Sequence, residues 1–328
     1  MDMELSLCPK GRKGELWRKF LENAGLTPDE QVERTALLWE DDQLIATGSR
    51  QGNILKCIAV DDSRQGEGLT ATVLTALRQD AFSAGHSHLF LYTKPKNRWM
   101  FSSLFFYPIA QTGDVLLMEN RQNGIGAFLK SLPAQPPQGV VGAAVMNCNP
   151  FTKGHRYLLE TAAAQCDRLY VFVLSEDRSE FSAHDRMEMV KLGTADIPNV
   201  TVLPTGPYLI SAATFPTYFL KEREKATQVQ CQLDVAVFTQ HFAPRFGITH
   251  RFVGTEPLSP MTAQYNQTLK ECLPQAGITL VEIPRLEEDG TPVSASAVRA
   301  RLQENNWEAL ETLLPPTTLD YLRRNYHG

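Results

Sequence analysis

At 328 residues, 43% of them hydrophobic and 21% charged, the chain has the balance of a folded globular protein and the length of roughly two domains at ~150 residues each. A formal charge of -5 excludes a surface built to coat nucleic acid, and no apolar stretch reaches the ~18 residues that a membrane helix needs. The first twenty residues are mixed and charged, with no apolar signal segment, so a cytoplasmic protein with no membrane contact is expected. The six cysteines are scattered, without Cys-x-x-Cys or a zinc-type cysteine–histidine cluster, and read as reduced core residues.

Residues 1–130 form the first predicted unit. Ala36 to Glu40 and Leu44 to Gly48 flank the polar turn Asp41-Asp42-Gln43 and read as a hairpin. Ile54 to Val60 is a third strand. Beyond the turn Asp61 to Gly68, an amphipathic helix sets Leu69, Val73, Leu74 and Leu77 on one face. His88 to Thr93 is a strand, Trp99 to Tyr107 a short aromatic-rich helix, and Val115 to Glu119 a closing strand. The turn before the amphipathic helix carries Gly66 and Gly68, and backbone N–H groups clustered at such a place suit a pyrophosphate. This strand order with its Gly-x-Gly turn resembles the GNAT acetyltransferase superfamily, which implies an α+β fold and a coenzyme-A-like ligand on Gly66 and Gly68. No residue of this half stands out as a general base. Its reading stays divided between a domain that holds such an arm and a docking module.

Residues 131–138 hold three prolines, Pro133, Pro136 and Pro137, and read as an extended linker. Residues 139–328 then alternate strand and helix, which predicts a doubly wound, Rossmann-like parallel sheet. Strands are expected at Gly139 to Met146, Arg168 to Ser175, Val200 to Leu203, Leu233 to Phe238, His250 to Gly254 and Ile278 to Ile283. A helix is expected over Phe215 to Lys225, and another opens within Val293 to Arg299.

Two segments of this half carry chemistry. Asn149-Pro150-Phe151-Thr152-Lys153-Gly154-His155 lies between the first strand and its helix, where unpaired N–H groups and the helix dipole meet. Gly154 lets the backbone approach a ligand, and His155 adds a donor for a phosphate oxygen. Ser294-Ala295-Ser296-Ala297-Val298-Arg299 places two hydroxyls at a helix start with an arginine fork behind them. In an open parallel sheet, both segments and the Gly254–Glu256 loop can face one crevice.

The pair resembles the Thr-x-Gly-His and Ser-Ser-Thr-x-x-Arg signatures of the adenylyl-transferring nucleotidyltransferases. With Ala213 to Lys221, Val253 to Pro257 and Tyr265-Asn266, the chain is similar to the citrate lyase ligase family over nearly all of residues 139–305. That resemblance implies ATP with Mg²⁺, acetate as the acid, and acetyl transfer to the prosthetic-group thiol of the citrate lyase acyl carrier subunit. It also implies His155, Thr152 and Arg299 in catalysis, with Asn149, Pro150, Gly154, Ser294 and Ser296 around the nucleotide. Gly254 and Glu256 would line the adenosine pocket, and Arg186 or Arg178 would meet pyrophosphate. No protein metal site is expected. Two rivals stay open: an adenylyltransferase for a phosphate monoester (phosphopantetheine or nicotinamide mononucleotide), and a nucleotide-sensing module without turnover.

Overall fold

The computed structural model describes residues 1–176, 179–209, 223–256, 259–288 and 290–326. The described residues divide into two compact units, one of residues 1–125 with 223–236 and the other of residues 126–209 with 237–326.

The first unit is built on a mixed sheet of β1 (Asp2–Ser6), β2 (Arg34–Glu40), β3 (Gln43–Gln51), β4 (Ile54–Val60), β5 (Phe90–Thr93), β6 (Tyr107–Gln111) and β7 (Leu116–Glu119). Their order across the sheet is β1-β2-β3-β4-β5-β7-β6. Helices α1 (Gly11–Asn23), α2 (Leu69–Ser83) and α3 (Arg98–Ser103) accompany it. The face of α2 that carries Leu69, Val73, Leu74 and Leu77 is buried in the core with Leu38, Leu55, Leu91 and Phe106. β4 and β5 pair in parallel only at Ile54–Phe90 and Leu55–Leu91. Beyond those pairs a cleft of about 540 Å³ opens, with Val60, Gly66, Gly68, Tyr92 and Thr93 among its lining. This is an α+β arrangement, as expected from the strand order. β1, α1 and β6 were not read from the sequence. β6 contains Pro108, which cannot donate to a ladder, and it accordingly lies at the sheet edge.

The second unit follows helix α4 (Gly124–Ser131) and a stretch, 133–138, without helix or strand. Its elements are β8 (Val141–Met146), α5 (Lys153–Ala163), β9 (Arg168–Val173), α6 (Ala183–Thr194) and β10 (Val200–Pro204). Helix α7 (Arg223–Val237), a π-helical turn at Phe238–Phe242 and α8 (Ala243–Phe246) precede β11 (His250–Gly254). Then come α9 (Pro260–Cys272), β12 (Thr279–Ile283), α10 (Ala295–Gln303), α11 (Trp307–Leu313) and α12 (Pro316–Tyr326). The sheet order is β10-β9-β8-β11-β12 and every pairing is parallel. The direction in which successive strands are added to the sheet therefore reverses between β8 and β11, and ligands of such folds bind beyond the carboxyl ends of those two strands. Burial on both faces explains the near-continuous apolar strands, as in β9, where Leu169, Tyr170, Val171, Phe172 and Val173 are all buried.

The segment Leu233–Phe238, expected as a strand, is the end of α7 and the start of the π-helical turn. Val229, Cys231, Leu233, Val235, Val237 and Phe238 are all buried, so no polar face gave the helix away. Of the helix expected over Phe215 to Lys225, residues 215–222 lie outside the described residues. No helix among the described residues is long and apolar enough to cross a membrane, and all six cysteines are free thiols.

Leu159 is fully buried in α5 and belongs to the core that carries the α5 N-terminus. Leu159→Ala is expected to cost about 2–5 kcal/mol in urea unfolding followed by far-ultraviolet circular dichroism.

Candidate active site

β8 delivers the chain into a turn that contains Cys148 at φ 52 and a cis Asn149–Pro150 bond, and Thr152 then caps α5. The cap is reciprocal. His155 N–H donates to Thr152 Oγ1 at 3.3 Å, and Thr152 N–H donates to His155 Nδ1 at 3.0 Å. A backbone N–H can only donate, so Nδ1 is the acceptor and the imidazole proton resides on Nε2. Phe151, fully buried, stacks on the imidazole at 5.9 Å between centroids and fixes its plane. Burial, with the positive charge of Arg285 second, lowers the His155 pKa from 6.5 to about 4. The ring is a neutral N–H donor at physiological pH.

The second segment meets the first directly. Ser294 caps α10 by accepting from Ala297 N–H at 3.2 Å, and its Oγ lies 3.3 Å from that of Ser296. Arg299 Nη1 donates to the Asn149 carbonyl at 2.7 Å. A Cβ on Gly154 would stand 3.1 Å from the Val293 carbonyl oxygen, so the missing side chain lets the α5 N-terminus pack closely on the segment leading to Ser294. The resulting cleft, about 430 Å³, is of ligand-pocket size and is lined by Asn149, Thr152, Gly154, His155, Gly254, Glu256, Ser294, Ser296 and Arg299.

Glu256 accepts from Ser259 N–H at 3.0 Å and pairs with Arg285, whose Nε also donates to the Thr255 carbonyl at 2.8 Å. Among the described residues, Glu256 is the sole carboxylate on the wall, against Arg251, Arg285 and Arg299. A chain of net charge -5 thus carries a cationic cleft at its switch point. Arg285 was not read from the sequence. Its position just past β12 was the available signal, because ligands gather beyond strand carboxyl ends.

Pro150 and Arg186 are not on that wall. Pro150 shapes the turn, while Arg186 is fully buried. Arg186 donates to the carbonyls of Phe181 (3.1 Å), Asn147 (3.1 Å) and Leu174 (2.8 Å), and to that of Glu176. It is a strut between the ends of β8 and β9 and the loop that follows β9. Arg178 and the whole block Ala213 to Lys221 lie outside the described residues. Cys148 is 1% exposed, and burial pushes its thiol well above the ordinary range, so it stays protonated. Gly66 and Gly68 line the separate cleft of the first unit, at φ 92 and 75, and neither N–H has an acceptor among the described residues. Among the described residues there is no group of three or more His, Cys, Asp or Glu able to hold a metal.

Fold and cleft together define a doubly wound α/β domain with a cationic cleft at its switch point, preceded by a mixed α+β domain. Residues 141–322 match the family model described as citrate lyase ligase C-terminal domain. The [citrate [pro-3S]-lyase] ligase of Klebsiella pneumoniae is 46% identical over 93% of this chain and 91% of its own. That of Escherichia coli (strain K12) is 43% identical over 93% and 89%, and that of Haemophilus influenzae 40% over 95% and 96%. The chain belongs to the citrate lyase ligase family.

The lowered His155 pKa has a consequence for stability. The unfolded chain takes up a proton near 6.5 that the folded chain refuses until about 4. The stabilising contribution is therefore full above 6.5 and is lost as pH falls toward 4. Urea midpoints across that window are expected to fall more steeply for the native chain than for His155→Asn.

Proposed function

We propose that the chain is an AMP-forming acid–thiol ligase that activates citrate lyase. ATP and acetate give acetyl-adenylate and pyrophosphate, and the acetyl group then passes to the prosthetic-group thiol of the acyl carrier subunit, releasing AMP. Family membership supports this reading, and one observation carries it for these residues: the Arg299 bond to Asn149 sets both phosphate-type segments on one cleft beside a neutral histidine.

In the first step an acetate oxygen attacks the α-phosphorus while the bond to the bridging oxygen of the β-phosphate breaks. Negative charge builds on the oxygens around that phosphorus, where a preorganised donor is most effective. His155 Nε2–H supplies it, with its tautomer held by Thr152. Arg299, Ser294, Ser296 and the α10 N-terminus receive the β- and γ-phosphates, which then leave together. Asn149 and Gly154 keep the backbone close, and Pro150 and Arg186 position the turn. Gly254, Glu256 and the Arg285 that Glu256 fixes form the adenosine side. In the second step the thiolate sulfur attacks the acetyl carbon, the carbon–oxygen bond to AMP breaks, and the thiol proton goes to solvent. Mg²⁺ fits as a companion of the triphosphate held by its oxygens and water, since the one wall carboxylate is engaged with Arg285. Gly66 and Gly68, in the first unit, receive the phosphate end of the carrier's coenzyme-A-like arm.

Mass spectrometry of the carrier subunit after incubation with ATP, Mg²⁺ and acetate is expected to find one added acetyl group. Pyrophosphate release that requires phosphopantetheine and ignores acetate contradicts the reading. His155→Ala is expected to lower kcat for acetate-dependent ATP–pyrophosphate exchange by about 10²–10³-fold. Gly68→Asp is expected to raise KM for the carrier and leave that exchange at the native rate; an unaltered carrier KM removes Gly68 from arm binding.

A further inference from the structure

Beside the arm-binding cleft, the first unit exposes a surface that neither reaction step uses. From Ala81 to Gly113 the sequence contains no aspartate or glutamate, while Lys94, Lys96 and Arg98 follow one another at alternate positions. None of these three side chains has an ion-pair or hydrogen-bond partner among the described residues. Arg50 of the same unit is neutralised by Glu33 and Asp80, Lys56 by Asp29, and Arg64 by Glu40 and Glu67. Lys94, Lys96 and Arg98 instead bring three unpaired charges together within five residues of one loop and helix.

The same stretch leaves large apolar side chains in water. Trp99 is 82% exposed, Phe105 65% and Met100 40%. They cannot turn inward, because α3 is anchored by Phe101, 3% exposed, which packs edge-on against Phe106 at 6.5 Å in the core. Leaving an aromatic side chain exposed forgoes about 1.5–3 kcal/mol of burial. Tryptophan and arginine side by side on an otherwise polar surface are the residue types that dominate protein–protein contacts. Three like charges without a counter-ion select an acidic face opposite them. Lys94, Lys96 and Met100 also line the cleft that holds the Gly66–Gly68 turn, so a partner seated on α3 has that cleft at its edge.

We propose that the surface formed by Lys94, Lys96, Arg98, Trp99, Met100 and Phe105 is the docking site for an acidic face of the acyl carrier subunit. Trp99 is the apolar anchor and the cations steer the approach. Identification of that partner rests on the ligase reading; the acidic, protein nature of the partner rests on the surface. Steering by rim charges acts on encounter and fades with ionic strength, whereas an apolar anchor does not.

The test is a calorimetric titration of the full chain with the carrier subunit at low and high salt, with acetate-dependent ATP–pyrophosphate exchange measured in parallel without carrier. The paired change Lys96→Glu with Arg98→Glu is expected to raise Kd at least about tenfold at low salt and much less at high salt. Trp99→Ala is expected to raise Kd at both salt concentrations, and every variant keeps the native exchange rate, which certifies its fold. Overturning results are a native chain that does not bind the carrier, or a Kd that none of these changes moves. The proposal also fails if Trp99→Ala instead abolishes binding to anionic lipid vesicles, or if the variants alter only the oligomeric state of the chain. A native chain that binds the carrier but shows no exchange would fail the ligase reading and leave the docking surface standing.

Discussion

A hydrogen bond between Arg299 and the carbonyl of Asn149, 2.7 Å long, joins residues at the two ends of the second unit's sequence. Around it the rest of the site is arranged. Gly154 lets the α5 N-terminus pack closely on the segment leading to Ser294, and Arg186 fixes the other side of the turn through backbone carbonyls. Two helix N-termini, α5 and α10, thereby open onto one cleft. Neither is an anion site of much consequence alone; converging, they place backbone donors, hydroxyls and a guanidinium around one volume.

The electrostatics follow from what surrounds that volume. Among the described residues of the wall, Arg251, Arg285 and Arg299 outnumber one carboxylate, Glu256, which is held by Arg285 and the Ser259 N–H, while Glu180 pairs with Arg299 at 3.5 Å from outside the wall. Burial first, and the charge of Arg285 second, keep His155 neutral. The reciprocal cap with Thr152 then settles which nitrogen bears the hydrogen. A helix cap, ordinarily a device for stability, here also sets the tautomer of the residue assigned to the reacting phosphate.

Much of this was legible in the sequence, for identifiable reasons. β8 and β9 are apolar on both faces, and β10, β11 and β12 carry shorter apolar runs bounded by turn residues, so all five stood out. The two signatures fell at strand-to-helix junctions, where a loop must face the switch point. The segment Leu233–Phe238 failed because a helix buried all round has no periodic face, and its β-branched residues imitate a strand. Arg186 was readable as a residue but not as a strut, since nothing in spacing separates an arginine that meets phosphate from one that meets carbonyls. Arg285 follows a proline at a strand end and belongs to no short motif. In the first unit two signals went unread: the apolar–polar alternation of Met1 to Leu7 that marks β1, and the helical spacing of α1, with Gly14, Trp17 and Leu21 buried on one side.

The central claim is that His155 and Arg299 act on one triphosphate at the same moment. A double-mutant cycle, His155→Ala and Arg299→Ala singly and together, read on kcat for acetate-dependent ATP–pyrophosphate exchange, tests it most directly. The account predicts a coupling free energy within about 0.5–3 kcal/mol, the range of residues that share a partner. Additive effects, agreeing within about 0.3–0.5 kcal/mol, would contradict it.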